Sequence, residues 1–250
     1  MGYGGIMSFD FTTDPVLPAM GLIVLQSDET IEQDFRRIFG HDPLIYVTRV
    51  PTATKVTRDT LQQMADTLPA AASLFAEPTQ FSVVGYGCTS GTAQIGADNI
   101  ARLVREGCTT PQVTQPVSGL LAACEALGIK RLGFLSPYVE EVSAHLVTVL
   151  ETNGVSCPVF GSFEESCETV VAHISPQSTY DAAMALAAKG GIDALFLSCT
   201  NLRTLDIIER LEAETGLPVL SSNQVLAWHM AKLSGIDLAT VRFGRLFEEG

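Results

Sequence analysis

A chain of 250 residues with 28 acidic against 15 basic side chains carries a formal charge of −13 at pH 7. Such a surface repels phosphate backbones and anionic bilayers, which argues against a nucleic-acid or membrane partner. With 46% hydrophobic and 17% charged residues, the composition is that of a folded soluble protein able to bury a core without disulfide or metal staples.

Residues 1–19 read as an N-terminal extension. It lacks the basic start and apolar stretch of a secretory signal. Ile6 breaks the myristoylation pattern that Met1-Gly2 opens, and Met7 is an alternative start, with residues 1–6 then left over from cloning. No apolar run approaches the roughly 18–20 residues that span a bilayer. The expected compartment is therefore the cytoplasm, where Cys88, Cys108, Cys124, Cys157, Cys167 and Cys199 stay reduced. They form no C-x-x-C pair and no zinc-like spacing with histidine, so no metal is expected.

Strand and helix patterns then alternate. Apolar runs at 20–26, 44–50, 81–87 and 111–116 predict strands, and 57–75, 96–107 and 117–128 predict helices. The alternation starts again, with strands at 130–137, 156–163, 193–199 and 217–223 and helices at 140–154, 178–191 and 202–216. Ser27 and Ser136 follow the first strand of each half, and Cys88 and Cys199 end the third; each pair is about 110 residues apart, the mark of an internal repeat. The expected fold is α/β. It has two flavodoxin-like or Rossmann-like lobes with parallel sheets, related by a pseudo-twofold axis, with the active site in the cleft between them. Residues 20–120 form the first lobe and 121–223 the second, with a C-terminal helix at about 224–250 packing back on the first.

Ligands of parallel sheets bind beyond the carboxyl ends of the strands, where both repeated cysteines stand. Each opens a short polar run before a helix, "CTSGTA" and "CTNLRT". Helix N-termini and hydrogen-bond donors lower a thiol's pKa and hold carboxylates. Thr89, Ser90, Thr200 and Asn201 are side-chain donors for the same oxygens. One thiolate facing one thiol across a small acid makes a reversible proton shuttle, and a thiolate also adds to an activated double bond. The bland alternative is that a strand-end cysteine is inert core, and it holds for Cys108, Cys124, Cys157 and Cys167, which lack the repeated Cys-Thr context. "GYGCTS" has Ser90 where a dinucleotide fingerprint has its third glycine, so no nucleotide cofactor is expected. The histidines have no repeated neighbourhood, "SSNQ" (221–224) either rims the cleft or turns the chain, and Arg49 is either an anion contact or a solvated strand end.

The segments "GLIVLQSDETIEQDF", "VVGYGCTSGT", "RLGFLSPYVEEV", "HISP" and "ALFLSCTNLRTLDIIERLEAETGLPVLSSNQ" resemble the aspartate/glutamate racemase superfamily, in its maleate isomerase and arylmalonate decarboxylase branch. The "LQSDETIE" start is also similar to an ectoine-utilisation subgroup. The resemblance implies two lobes, no cofactor, Cys88 as base or nucleophile, Cys199 as the opposing acid, and Tyr138 bonded to a substrate carboxylate. Decarboxylases of this branch keep only the second cysteine, so the pair places this chain nearer the isomerases and racemases. Two positions depart from the pattern. Asp28, beside Ser27 after the first strand, and Glu168 in the middle segment stand where maleate isomerases carry asparagine. A carboxylate repels the second carboxylate of maleate and attracts an ammonium or amide N–H, although Asp28 also suits a helix N-cap. The expected activity is therefore a cofactor-independent racemase or isomerase of a small carboxylate bearing a nitrogen function. The alternatives are a maleate cis–trans isomerase, an arylmalonate-decarboxylase-like enzyme, or a non-catalytic binding protein. Oligomeric state, including a homo-oligomer, stays open.

Overall fold

The computed structural model describes residues 7–13, 19–77 and 79–248. The expectations for residues 1–6 lie outside that range. The first half runs β1 (Ala19–Leu25), α1 (Ile31–Phe39), β2 (Leu44–Val50), α2 (Arg58–Ala72), β3 (Phe81–Gly87), α3 (Thr89–Ile95), α4 (Ala97–Gly107), β4 (Val113–Thr114) and α5 (Pro116–Ala126). The second runs β5 (Arg131–Tyr138), α6 (Glu140–Thr152), β6 (Ser156–Glu165), α7 (Glu168–Val171), α8 (Pro176–Ala187), β7 (Ala194–Leu197), α9 (Leu205–Thr215), β8 (Val219–Ser221) and α10 (Ser222–Ser234).

Two four-stranded sheets result, ordered β2-β1-β3-β4 and β6-β5-β7-β8, with every pairing parallel. The two orders are the same arrangement drawn twice, as a duplicated βα unit requires. β1 is buried throughout, as a central strand covered on both faces must be. Its alternate residues feed different cores: Met20, Leu22 and Val24 join one cluster, while Ala19, Ile23 and Leu25 join the other.

Local chemistry explains where the elements differ from the sequence expectations. The strand expected at 111–116 shrinks to Val113–Thr114 because Pro111 and Pro116 supply no N–H to the ladder. Pro116 instead opens α5, and the Gln115 side chain accepts the Ser118 N–H at 2.7 Å. The C-terminal helix expected at about 224–250 stops at Ser234, where Gly235 adopts a left-handed conformation. A single 3₁₀ turn follows at Arg245–Glu248. α10 packs on α5, β3 and β8, so it touches both halves. Gly119 permits this: a Cβ there would lie 2.5 Å from the Val225 carbonyl oxygen. The carboxyl ends of β1, β3, β5 and β7 deliver Ser27, Cys88, Tyr138 and Cys199 to the cleft.

Candidate active site

Cys88 caps α3 with an extended backbone, and its sulfur accepts the Gly91 N–H at 3.2 Å. Only glycine fits at 91, since a Cβ would come within 2.8 Å of that sulfur and 2.9 Å of the Tyr86 hydroxyl. Cys199 is held differently. α9, expected from residue 202, begins only at Leu205, so its N-terminus stands further along the chain from the second cysteine than that of α3 does from the first. Instead Cys199 takes φ +129°, a region that costs a side-chain-bearing residue about 1–3 kcal/mol. Surrounding bonds hold it. Its N–H donates to the Ser222 hydroxyl at 2.9 Å, and its sulfur accepts the Asn201 N–H at 3.3 Å and lies 3.1 Å from the Tyr138 hydroxyl. Ser222 also accepts from Thr89 at 2.8 Å, so one hydroxyl ties the two cysteine turns together across the cleft.

Tyr138 ends β5 and donates to Glu168 at 2.9 Å; it thereby bridges a carboxylate and the second sulfur. The other Glu168 oxygen accepts from the Asn201 amide at 3.0 Å. That amide also donates to the Ser27 carbonyl, while the Asn201 side-chain oxygen accepts the Glu29 N–H at 2.8 Å. Asp28 directs one oxygen to the Thr30 and Ile31 N–H groups, at 2.9 and 2.8 Å, and so caps α1. Its second oxygen is buried without a hydrogen-bond partner.

Cys88 and Cys199 line one cavity of about 30 Å³. Of the residues expected at the site, Ser27, Thr89, Ser90, Tyr138, Glu168 and Thr200 share that wall. Asp28 and Asn201 stand behind it. Sequence reasoning missed Thr52, Ala53, Lys55 and Val56, and also Leu25 and the α2 residues Thr60, Leu61 and Met64, which complete the lining. Residues 52–56 lie just past the carboxyl end of β2, and that placement was the available signal. This segment is zipped to the other half. The Val56 N–H donates to the Ser166 carbonyl at 3.0 Å, the Glu168 N–H to that of Thr54 at 3.3 Å, and Lys55 bridges Cys167. Arg49 is neither an anion contact nor free. Its guanidinium gathers the carbonyls of Leu25, Gln26 and Asp28 and pairs with Glu32, which fixes the turn after β1.

Burial dominates the electrostatics. It pushes the Cys88 thiol up to about 12, with the Glu168 and Asp28 charges adding to the rise and the Gly91 N–H and Tyr86 hydroxyl opposing it. Cys199 is raised well above the ordinary thiol range by burial and then by Glu168. Neither cysteine is the poised thiolate that helix N-termini alone suggested. Burial also raises Asp28 to about 6 and lifts Glu168 above the usual carboxylate range. Among the described residues, no group of three or more His, Cys, Asp or Glu is placed to hold a metal ion, and no helix is long and apolar enough to cross a membrane.

A sequence profile described as arylmalonate decarboxylase matches residues 20–247. The chain belongs to the arylmalonate decarboxylase family. Within it, the arylmalonate decarboxylase of Bordetella bronchiseptica is 28% identical over 148 residues, which cover 58% of this chain and 61% of that protein. A maleate isomerase of Nocardia farcinica is 26% identical over 151 residues, covering 60% of each. The aligned part thus spans about three fifths of the length of these curated relatives. The fold extends further. A maleate cis-trans isomerase from Nocardia farcinica, solved as a cysteine-to-serine mutant with a covalently bound succinylcysteine intermediate, superimposes with a TM-score of 0.84 at 22% identity, over 94% of this chain and 99% of that one. This family member therefore has the two-lobed architecture of the maleate isomerase and arylmalonate decarboxylase branch.

Proposed function

We propose that the protein is a cofactor-independent isomerase of a small carboxylate, with Cys88 and Cys199 acting on one substrate from the two lobes. The observation that carries this reading is the shared cavity: both sulfurs line it, together with Tyr138 and Glu168. A relative that traps a succinylcysteine supports a cysteine as nucleophile. In that chemistry the Cys88 thiolate forms a sulfur–carbon bond as the π electrons of the substrate double bond move to the neighbouring carbon, next to a carboxylate. Cys199 gives that carbon a proton, the new single bond rotates, and Cys199 takes the proton back as the sulfur leaves. Where the substrate has an α-hydrogen in place of a double bond, one thiolate removes it and the opposing thiol returns another, which is racemisation. Ser27 and Ser90 are the hydroxyl groups at hand for a carboxylate, since those of Thr89 and Thr200 already donate to Ser222 and to the Gly87 carbonyl.

Maleate, the substrate named for the relatives, is the first compound to test by the absorbance change to fumarate. α-Hydrogen exchange in D₂O, followed by NMR over a panel of amino acids and diamino acid derivatives, covers the racemase form. Cys88→Ala and Cys199→Ala are each expected to lower turnover at least about a thousandfold while circular dichroism stays native. Wild-type turnover in either variant would sink the reading. The family profile favours decarboxylation as a second reading, which carbon dioxide release from an arylmalonate would reveal. The presence of Cys88 beside Cys199 weighs for isomerisation.

A further inference from the structure

Glu168 is 3% exposed, lines the cavity with both cysteines, and receives one hydrogen bond on each oxygen, from Tyr138 and Asn201. A carboxylate offers about four lone-pair sites, so each oxygen keeps acceptor capacity. Among the described residues neither the Glu168 nor the Asp28 carboxylate has a basic nitrogen within 4.0 Å, since Arg49 reaches only the Asp28 main-chain carbonyl and the ion pairs all join other side chains. Lys55, the only basic side chain among the described lining residues, is solvent-exposed. Asp28 adds a second buried acid close enough to interact with Glu168, and Thr200 is the side chain that lowers the cost of its charge there. Two adjacent acids without a counter-ion leave this end of the cavity short of positive charge. A ligand bringing another carboxylate there meets repulsion, and one bringing an N–H or ammonium meets the free acceptor sites of Glu168, with the Asp28 charge behind the wall.

We propose that Glu168, backed by Asp28, is the receptor for a nitrogen-bearing group of the substrate, so that the cavity takes a small acid with one carboxylate and an ammonium or amide N–H. This deepens the isomerase reading and rests on it for the chemistry, though not for the binding preference. The same two acids help hold the Cys88 and Cys199 thiols protonated. A cation docked on Glu168 offsets that charge, so arrival of the correct ligand also eases thiolate formation.

The test compares β-alanine with succinate, which differ in an ammonium for the second carboxylate, by calorimetry on the full-length protein. Neither has a double bond, so the outcome stands apart from whether the isomerase reading is right. β-Alanine should bind at least ten-fold more tightly, and Glu168→Gln should move the preference at least ten-fold towards succinate. Glu168→Gln should also speed iodoacetamide labelling of Cys88 and Cys199 several-fold in the empty protein, a change that mere loss of a brace would not confine to these two sulfurs. Asp28→Asn keeps the oxygen that caps α1 and provides the same comparison should Glu168→Gln fail to fold. Equal binding, tighter succinate, no measurable β-alanine binding, or a preference indifferent to the substitution would each overturn the proposal.

Discussion

A thiol reacts as its thiolate, so the order in which the cysteines are modified follows what holds each sulfur's proton. Cys88 and Cys199 are buried, and so is Cys124; burial also raises Cys108, and it pushes both Cys124 and Cys157 up to about 12. Cys167 alone goes the other way. Its thiol is lowered by hydrogen bonds from the Thr169 hydroxyl and the Val170 N–H. Iodoacetamide at neutral pH is therefore expected to label Cys167 first, read by peptide mass spectrometry. Earlier labelling of Cys88 or Cys199 in the ligand-free protein would contradict this order. The sequence places both cavity cysteines at strand ends but says nothing of their surroundings. Their desolvation comes from Tyr138, Met64 and Val56, all distant in the chain.

At the scale of elements, the segment after β2 closes the cavity with few bonds. The Val56 N–H to Ser166 bond is one of two backbone bonds across the seam, and the Thr60 hydroxyl holds the Lys55 carbonyl at 2.9 Å from its own side. Val56→Pro deletes that donor. A backbone hydrogen bond is worth about 1 kcal/mol net, which corresponds to roughly five-fold in an opening equilibrium. Amide exchange over residues 52–55 should quicken by about that factor, with the α1 and β1 amides unchanged; unaltered exchange in the segment would show that the seam does not hold it. Elements with a strong pattern were legible beforehand. α4 shows why, since its buried residues Ile100, Leu103 and Val104 recur at helical spacing. α3 was not, because "TSGTAQI" carries no apolar period and is buried on nearly every side. The closing segment was equally opaque: "PTATKV" is an ordinary polar connection until the other lobe meets it.

For the whole molecule, buried acids set the pH dependence of stability. Asp34, at the junction of α1 with α10, accepts the Asn223 amide at 2.8 Å, and burial raises it to about 7; Asp28 rises to about 6. In the unfolded chain both sit near 3.9. Between these values the folded protein holds protons that the unfolded chain has lost, so stability falls as pH climbs from about 4 to about 7 and is greatest, for these groups, below the unfolded value. Self-repulsion from the −13 charge acts in the same direction. The thermal midpoint should drop between about pH 5 and about pH 8. Asp34→Asn, which still accepts from Asn223, should raise the midpoint at the higher pH and flatten the slope. An unchanged slope would place the effect elsewhere.

The alternation of strands with the longer helices, the parallel sheets and the doubling of the chain were determined by the sequence alone, because burial periodicity and repeat spacing are local or one-dimensional properties; the short helices α1, α3 and α7 were not. So was the placing of Cys88 and Cys199 at matching strand ends. Only the tertiary structure decided that these sulfurs line one cavity, that Tyr138 joins Cys199 to Glu168, and that Cys199 bears a strained backbone. It also decided that Asn201 braces the turn after β1 and does not line the wall. Each of these depends on distances between residues far apart in the chain and on desolvation by the opposite lobe. No local pattern encodes either quantity.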